Sequence, residues 1–181
     1  MTNKKIRHRS LRAALGAVLA LILLSPAAAF CDDQVWTTVA SAGIVDERDL
    51  GRVSFNGPLA TVKTAAPSSV VIRYNVVALD DLSDDDDCLR MSVRFRDNGT
   101  ASRVVVRLKR FNLSSGTTST LLTMDTDRYN SNGGFQTRTV GRCTSTLDFE
   151  ANAYFIEAEL TRSAAAGAPA LAAIKIYSTD D

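Results

Sequence analysis

The chain is poor in the residues that carry most enzyme chemistry. Its 181 residues include one histidine, His8, together with one tryptophan, three cysteines and four prolines. A serine or cysteine nucleophile activated by histidine needs that base in the folded domain, and histidine-liganded zinc needs imidazoles. The sequence also contains no G-x-S-x-G elbow, no phosphate-binding loop and no C-x-x-C pair. These absences exclude the commonest hydrolase and zinc sites and favour a protein that is not an enzyme.

The first 29 residues predict a secretory signal peptide. Residues 1–12 carry five cations and no acid, residues 13–24 are apolar, and residues 27–29 form an A-x-A cleavage site. The apolar run is shorter than the roughly 20 residues that a membrane span requires. We therefore expect cleavage to leave residues 30–181 as one domain without a transmembrane segment. The domain is expected to be secreted, periplasmic or at a cell surface, and the alanine-rich signal indicates a bacterial source.

Removal of that segment changes the charge balance. It takes away His8 and five of the 21 cations, which leaves 16 cations against 20 acids. A mildly acidic domain is a poor candidate for nucleic-acid binding, because such domains normally have a net or local basic excess. Binding of any other polyanion would need a local basic patch.

Three cysteines remain after cleavage, Cys31, Cys88 and Cys143. We predict a disulfide between Cys88 and Cys143, which both lie in the body of the domain, and closing that loop stabilises by roughly 4 kcal/mol in the chain-entropy model. Cys31 lies almost at the new N-terminus, where lipidation would anchor the chain to a membrane. The preceding residue is Phe30 rather than a small residue, so we favour plain cleavage. A bond from Cys31 to either other cysteine stays open.

The rest of the sequence is typical of strands separated by turns. Residues 89–96, 103–111 and 154–161 alternate apolar and polar side chains, and no stretch has the period of an amphipathic helix. We predict an all-β fold, an antiparallel β-sandwich of eight or nine strands with jelly-roll or immunoglobulin-like connections. A closed barrel is the main alternative.

The central strands carry many cations. Asn98-Gly99 is a strong hairpin signal, and it predicts that residues 89–96 pair with residues 103–111. That pairing would place six candidate ligand-binding cations on one side: Arg90, Arg94, Arg96, Arg103, Arg107 and Lys109. Such a platform suits a glycan or another anionic polymer, because the planar arginine fork matches carboxylate and phosphate groups. The alternative, which the negative net charge favours, is that nearby acids neutralise these cations.

Two acidic segments are candidates for calcium. Residues 80–87 contain six aspartates, and a second segment carries Asp125 and Asp127. Calcium prefers six to eight oxygen ligands, although neither segment has the spacing of the known calcium loop. The predicted metal ligands are Asp84, Asp85, Asp86, Asp87, Asp125 and Asp127. The alternative is a solvated loop extended by its own charge repulsion.

The sequence thus predicts an exported, non-enzymatic binding module for glycans or other anionic polymers, with calcium as a candidate stabilising ion. One alternative is a structural subunit that self-associates, or binds another protein, through a sheet edge. Another is a carboxylate-dependent glycosidase or lyase, since Glu157 and Glu159 share one face of a predicted strand.

Overall fold

The structure is a computed structural model that describes residues 35–63, 65–79, 82, 88–143 and 147–179. The predicted signal peptide, Cys31 and the four aspartates at 84–87 lie outside the described residues and stay predictions. The described chain forms eleven strands: β1 (Trp36–Val39), β2 (Ile44–Val45), β3 (Val53–Asn56), β4 (Leu59–Val62), β5 (Ser68–Val76), β6 (Cys88–Asp97), β7 (Ser102–Asn112), β8 (Thr118–Asp125), β9 (Asn132–Arg142), β10 (Asn152–Arg162) and β11 (Ala170–Thr179). Within it, no helix has the length and apolar character needed to cross a membrane.

The strands form two antiparallel sheets, which confirms the predicted β-sandwich. The six-stranded sheet has the order β3-β4-β11-β6-β9, with β1 also paired to β11, and the five-stranded sheet has the order β2-β5-β10-β7-β8. From β4 to β11 every connection except β7–β8 crosses from one sheet to the other. This is jelly-roll wiring, in which two four-stranded layers face each other. The three short strands β1 to β3 add to that eight-stranded frame.

One apolar core fills the space between the sheets. Side chains that alternate along each strand point inward, as at Met91 and Val93 on β6, Ile72 on β5, and Ile156 on β10, all fully buried. Burying a side chain of this size stabilises the fold by about 1.5–3 kcal/mol. The intervening residues of each strand therefore face outward, and these outer residues are the ones available for function.

The predicted disulfide is present. Cys88 and Cys143 are bonded, 55 residues apart in sequence. They lie at the end of the β6–β9 pair, since Leu89 is paired with Arg142 one position further along. Because β9 is the edge of the six-stranded sheet, the bond fastens an edge strand to the centre of that sheet.

The predicted hairpin between β6 and β7 is wrong. β6 pairs with β11 and β9, whereas β7 pairs with β10 and β8 in the other sheet. Gly99 has the positive φ (136°) expected of this turn, but Asn98 is bound elsewhere. Its amide donates to the Ala166 carbonyl at 2.8 Å and its carbonyl accepts from the Ala168 amide at 2.7 Å. The chain therefore crosses between sheets here, held by the loop that precedes β11.

Candidate functional site

The outer surface of the six-stranded sheet has a concentration of cations, and we call it the arginine face. On β6 the fully buried residues alternate with Arg90, Arg94 and Arg96, which all point away from the core. Lys175 on β11 joins them, because it is paired with Ser92 in the space between Arg90 and Arg94. Three of the six cations predicted for the platform therefore lie together, with a lysine that the prediction did not include.

Two aromatic rings hold these cations in place. The guanidinium carbons of Arg94 and Arg96 lie 5.8 and 5.7 Å from the centre of the Phe135 ring on β9. The Lys175 ammonium lies 4.4 Å from the centre of the Tyr177 ring. Cation–π contacts of this kind contribute about 0.5–1 kcal/mol at exposed sites. They restrict the positions of three charges before any ligand arrives.

Arg90 is positioned by a glycine on the neighbouring strand. Gly141 is paired with Arg90, and a Cβ built at position 141 would lie 2.8 Å from Nη1 and 3.0 Å from Nε of that arginine. The absence of a side chain at Gly141 therefore lets Arg90 lie across β9. Arg90 Nε also faces the Thr179 hydroxyl at 3.4 Å.

Hydroxyl groups line the arginine face beside the cations. Thr137 accepts from Arg94 at 3.4 Å, and the Thr139 hydroxyl donates to Ser92 at 3.2 Å. Thr37 of β1 is paired with Lys175 on the other side. The surface therefore offers fixed cations flanked by groups that both donate and accept hydrogen bonds.

The arginine face has almost no negative charge of its own. The six strands of its sheet contain one carboxylate, Asp97, which is 4% exposed. Among the ion pairs of the described residues, none includes Arg90, Arg94, Arg96 or Lys175. Among the described residues, these four side chains thus form a basic surface without an ion-pair partner.

The other half of the predicted platform lies on the opposite side of the sandwich. Arg103, Arg107 and Lys109 are on β7, on the outer surface of the five-stranded sheet, which we call the ion-pair face. The single six-cation platform is therefore wrong as a surface, because β6 and β7 belong to different sheets. Whether either set binds a ligand stays a prediction.

Cations of the ion-pair face are neutralised by acids on adjacent strands. Glu157 of β10 pairs with Lys109 at 2.8 Å, with Arg107 at 3.7 Å and with Arg73 of β5 at 3.8 Å. Glu159 pairs with Arg107 at 3.2 Å. These ion pairs are the neutralisation by nearby acids that the sequence analysis gave as the alternative to a binding platform. They follow from the register, which places Glu157 directly between Arg73 and Arg107.

Arg103 is engaged by the second predicted calcium segment. It forms two bonds with Asp125, at 3.0 and 2.6 Å, and one ion pair with Asp127 at 3.0 Å. The hydrogen bond from Arg103 lowers the pKa of the Asp125 carboxyl, and the same bond raises the pKa of the guanidinium. The guanidinium of Arg103 therefore occupies the position beside these carboxylates that a calcium ion would take.

Of the six residues predicted to bind calcium, Asp125 and Asp127 lie among the described residues. In the described ranges no group of three or more histidine, cysteine or acidic side chains is placed to hold a metal ion. Asp127 does line a cleft of about 220 Å³, formed by the turn after β6 and the segment before β9. The calcium assignment for Asp125 and Asp127 stays a prediction, as it does for the four aspartates outside the described residues.

No protein-family model and no curated protein matches the chain. Among solved structures, the xylan-binding module CBM15 has a TM-score of 0.47 and 8% identity, covering 82% of this chain and 99% of its own. The CBM22-1 xylan-binding domain of Paenibacillus barcinonensis Xyn10C has a TM-score of 0.41 and 12% identity, covering 80% and 86%. TmCBM61, solved with β-1,4-galactotriose, has a TM-score of 0.38 and 10% identity, covering 84% and 90%. Because these identities and TM-scores are low, the fold and the candidate site are assigned from the strand order and side chains of this chain alone.

Proposed function

We propose that the protein is a non-enzymatic module that binds acidic glycans through the arginine face. The observation that carries the proposal is the set Arg90, Arg94, Arg96 and Lys175. The last three contact aromatic rings, and no ion pair among the described residues includes any of the four. Like charges on neighbouring positions destabilise a sheet, so their presence calls for a compensating role. Binding of anionic groups provides one, and arginine is the side chain best suited to carboxylates.

The rings on this face favour charge recognition over sugar stacking. Phe135 and Tyr177 each have cations over the ring, so those ring faces are covered by the protein's own side chains. A neutral sugar that stacks on aromatic rings would find little open surface there. An acidic sugar would meet guanidinium groups and threonine hydroxyls instead. The proposal is therefore specific for acidic glycans.

A carboxylate-dependent enzyme has less support. The acid and the base of a glycosidase must both reach the substrate. Glu157 is engaged by Arg73, Arg107 and Lys109, and Glu159 by Arg107. Both carboxylates are therefore occupied by the protein's own cations.

Self-association through a sheet edge also has less support. The long edge strand β9 carries Arg138 and Arg142 together with Gly133, Gly134 and Gly141. Charged residues on an edge discourage pairing with a second copy, and glycines weaken a strand. The longer edge strand is thus chemically unsuited to pairing with the same strand of a second copy.

Titration calorimetry of the exported domain with polygalacturonate, alginate and neutral xylan tests the proposal. We expect both acidic polymers to bind, with an affinity that falls steeply as salt is added, and xylan to stay unbound. The triple variant Arg90→Gln, Arg94→Gln, Arg96→Gln should lose binding. The matched variant Arg103→Gln, Arg107→Gln, Lys109→Gln, compared once circular dichroism shows it folded, should keep it. Equal binding of xylan, or loss of binding only in the second variant, would overturn the proposal.

A further inference from the structure

The cations of the arginine face are arranged in a line. Arg90, Arg94 and Arg96 lie along β6, and Lys175 is paired with Ser92, the outward residue between the first two. One cation thus occurs at every second residue, a step of roughly 7 Å along an antiparallel strand. The line from Arg90 to Arg96 is roughly 20 Å long by the same rise. We call these four residues the cation line.

A line of this kind matches an extended ligand better than a compact one. A clustered anion, such as a phosphorylated headgroup, is bound by cations that converge on one point. Here the backbone positions of the cations follow β6, with Lys175 beside it on β11. Phe135 contacts both Arg94 and Arg96, Tyr177 contacts Lys175, and Arg90 lies across Gly141. Only Arg94 and Arg96 share a contact, so the four charges do not converge on one point.

The groups beside the cation line indicate which extended polyanion fits. Threonine hydroxyls lie on both sides, with Thr137 and Thr139 on β9 and Thr37 on β1. Such groups exchange hydrogen bonds with the hydroxyls of a sugar chain. Single-stranded nucleic acid would need open aromatic rings on which bases stack, and both rings of this face lie under cations. The observations favour a polysaccharide.

We infer that the ligand is a linear, uronate-type polysaccharide lying parallel to β6, with its carboxylates placed in turn at Arg90, Lys175, Arg94 and Arg96. This inference rests on the proposed function, to which it adds the ligand's shape, direction and acidic group. Arginine can hold a carboxylate with two parallel hydrogen bonds, whereas Lys175 acts as a single point charge.

The test uses a length series of oligogalacturonates, from the dimer upward, measured by titration calorimetry on the exported domain. Affinity should rise with length until the oligomer spans roughly 20 Å and then level off. Arg94→Gln, near the middle of the cation line, should weaken short and long oligomers by at least about tenfold. Arg90→Gln, at the end of the line, should weaken only those long enough to reach it. Arg128→Gln, an exposed cation outside the arginine face, is the matched control and should change nothing.

The outcomes separate the two proposals. If no acidic polysaccharide of any length binds, the proposed function itself fails. If long polymers bind but Arg90→Gln weakens dimers as much as long oligomers, the cation line is overturned while the proposed function stands. Charge-matched oligomers of dextran sulfate, inorganic polyphosphate and single-stranded DNA, none of which contains a uronate, complete the test. Tighter binding of any of these than of the uronate series would overturn the assignment of the ligand.

Discussion

The two outer surfaces of the sandwich differ in what balances their cations. Four cations of the six-stranded sheet face outward: Arg90, Arg94, Arg96 and Lys175. Four cations of the five-stranded sheet also face outward: Arg73, Arg103, Arg107 and Lys109. The strands of the first sheet contain one carboxylate, buried Asp97, and those of the second contain Asp125, Glu157 and Glu159. The number of outward cations is thus equal, but each cation of the ion-pair face has an ion-pair partner, whereas no ion pair among the described residues includes a cation of the arginine face.

A run of basic strand residues therefore has no fixed role. On the ion-pair face, Glu157 lies between Arg73 and Arg107 and the charges stabilise the sheet. On the arginine face, Thr137 and Gly141 occupy the corresponding positions on β9 beside Arg94 and Arg90. Strand pairing, more than composition, decides which role the cations take.

The largest expected effect concerns the edge of the arginine face. Replacing both Cys88 and Cys143 with alanine should lower the free energy of unfolding by roughly 4 kcal/mol, because a loop of 55 residues is no longer closed in the unfolded chain. Denaturant unfolding measures the loss, and reduction of the unaltered protein should reproduce it. Hydrogen exchange should show faster opening in β9 than in β8, the edge of the other sheet. Equal loss of protection in both edges would mean that the bond supports the whole sandwich rather than one surface.

The next effect separates a structural charge from one that is available to a ligand. Glu157→Gln leaves three nearby cations without their shared carboxylate, which is 17% exposed, and should cost about 2 kcal/mol of stability. Arg94→Gln should lower stability by no more than about 1 kcal/mol, since it loses the cation–π contact with Phe135 but breaks no ion pair among the described residues. Urea unfolding of both variants provides the comparison. A large loss from Arg94→Gln with none from Glu157→Gln would reverse the roles assigned to the two surfaces.

A smaller effect comes from Gly141, which tests position without changing charge. Gly141→Ala would push the Arg90 guanidinium away from β9, so affinity for an acidic polysaccharide should fall several-fold. The arginine side chain can move, and stability should therefore fall by no more than about 1 kcal/mol. Gly51→Ala is the control, because a Cβ there meets nothing within 4 Å. Unchanged affinity in Gly141→Ala would show that the placement of Arg90 is irrelevant to binding.

Much of the fold could be predicted because alternation is a local property. The pattern at residues 89–96 gives the strand and its outward arginines, and the sequence separately indicates the disulfide from Cys88. The pairing of β6 could not be predicted in the same way. Asn98-Gly99 is a good hairpin signal, yet Asn98 donates to the carbonyl of Ala166 and accepts from the amide of Ala168, both in a distant loop. A contact between residues so far apart in sequence produces no signal in the local sequence pattern.

The candidate site was predictable to the same extent. The outward direction of Arg90, Arg94 and Arg96 follows from β6 alone, as does that of Arg103, Arg107 and Lys109 from β7. Lys175 and Tyr177 were missed because their strand becomes a neighbour of β6 only in the folded sheet. Residues 171–177 contain the alternation that orients both side chains. The missing information was strand order.

The smallest effect concerns acid and belongs to the ion-pair face. The hydrogen bond from Arg103 lowers the pKa of Asp125 in the folded protein, so the unfolded chain binds a proton more readily. The stabilisation is present above the ordinary aspartate value, near pH 3.9, and is lost as the pH falls through the lower folded value. Since Arg103 is 45% exposed, the contribution should stay below about 1 kcal/mol. Unfolding measured at pH 7 and pH 3 should show a larger loss for the unaltered protein than for Asp125→Asn. An equal loss in both proteins would show that the contact between Arg103 and Asp125 contributes nothing to the acid response.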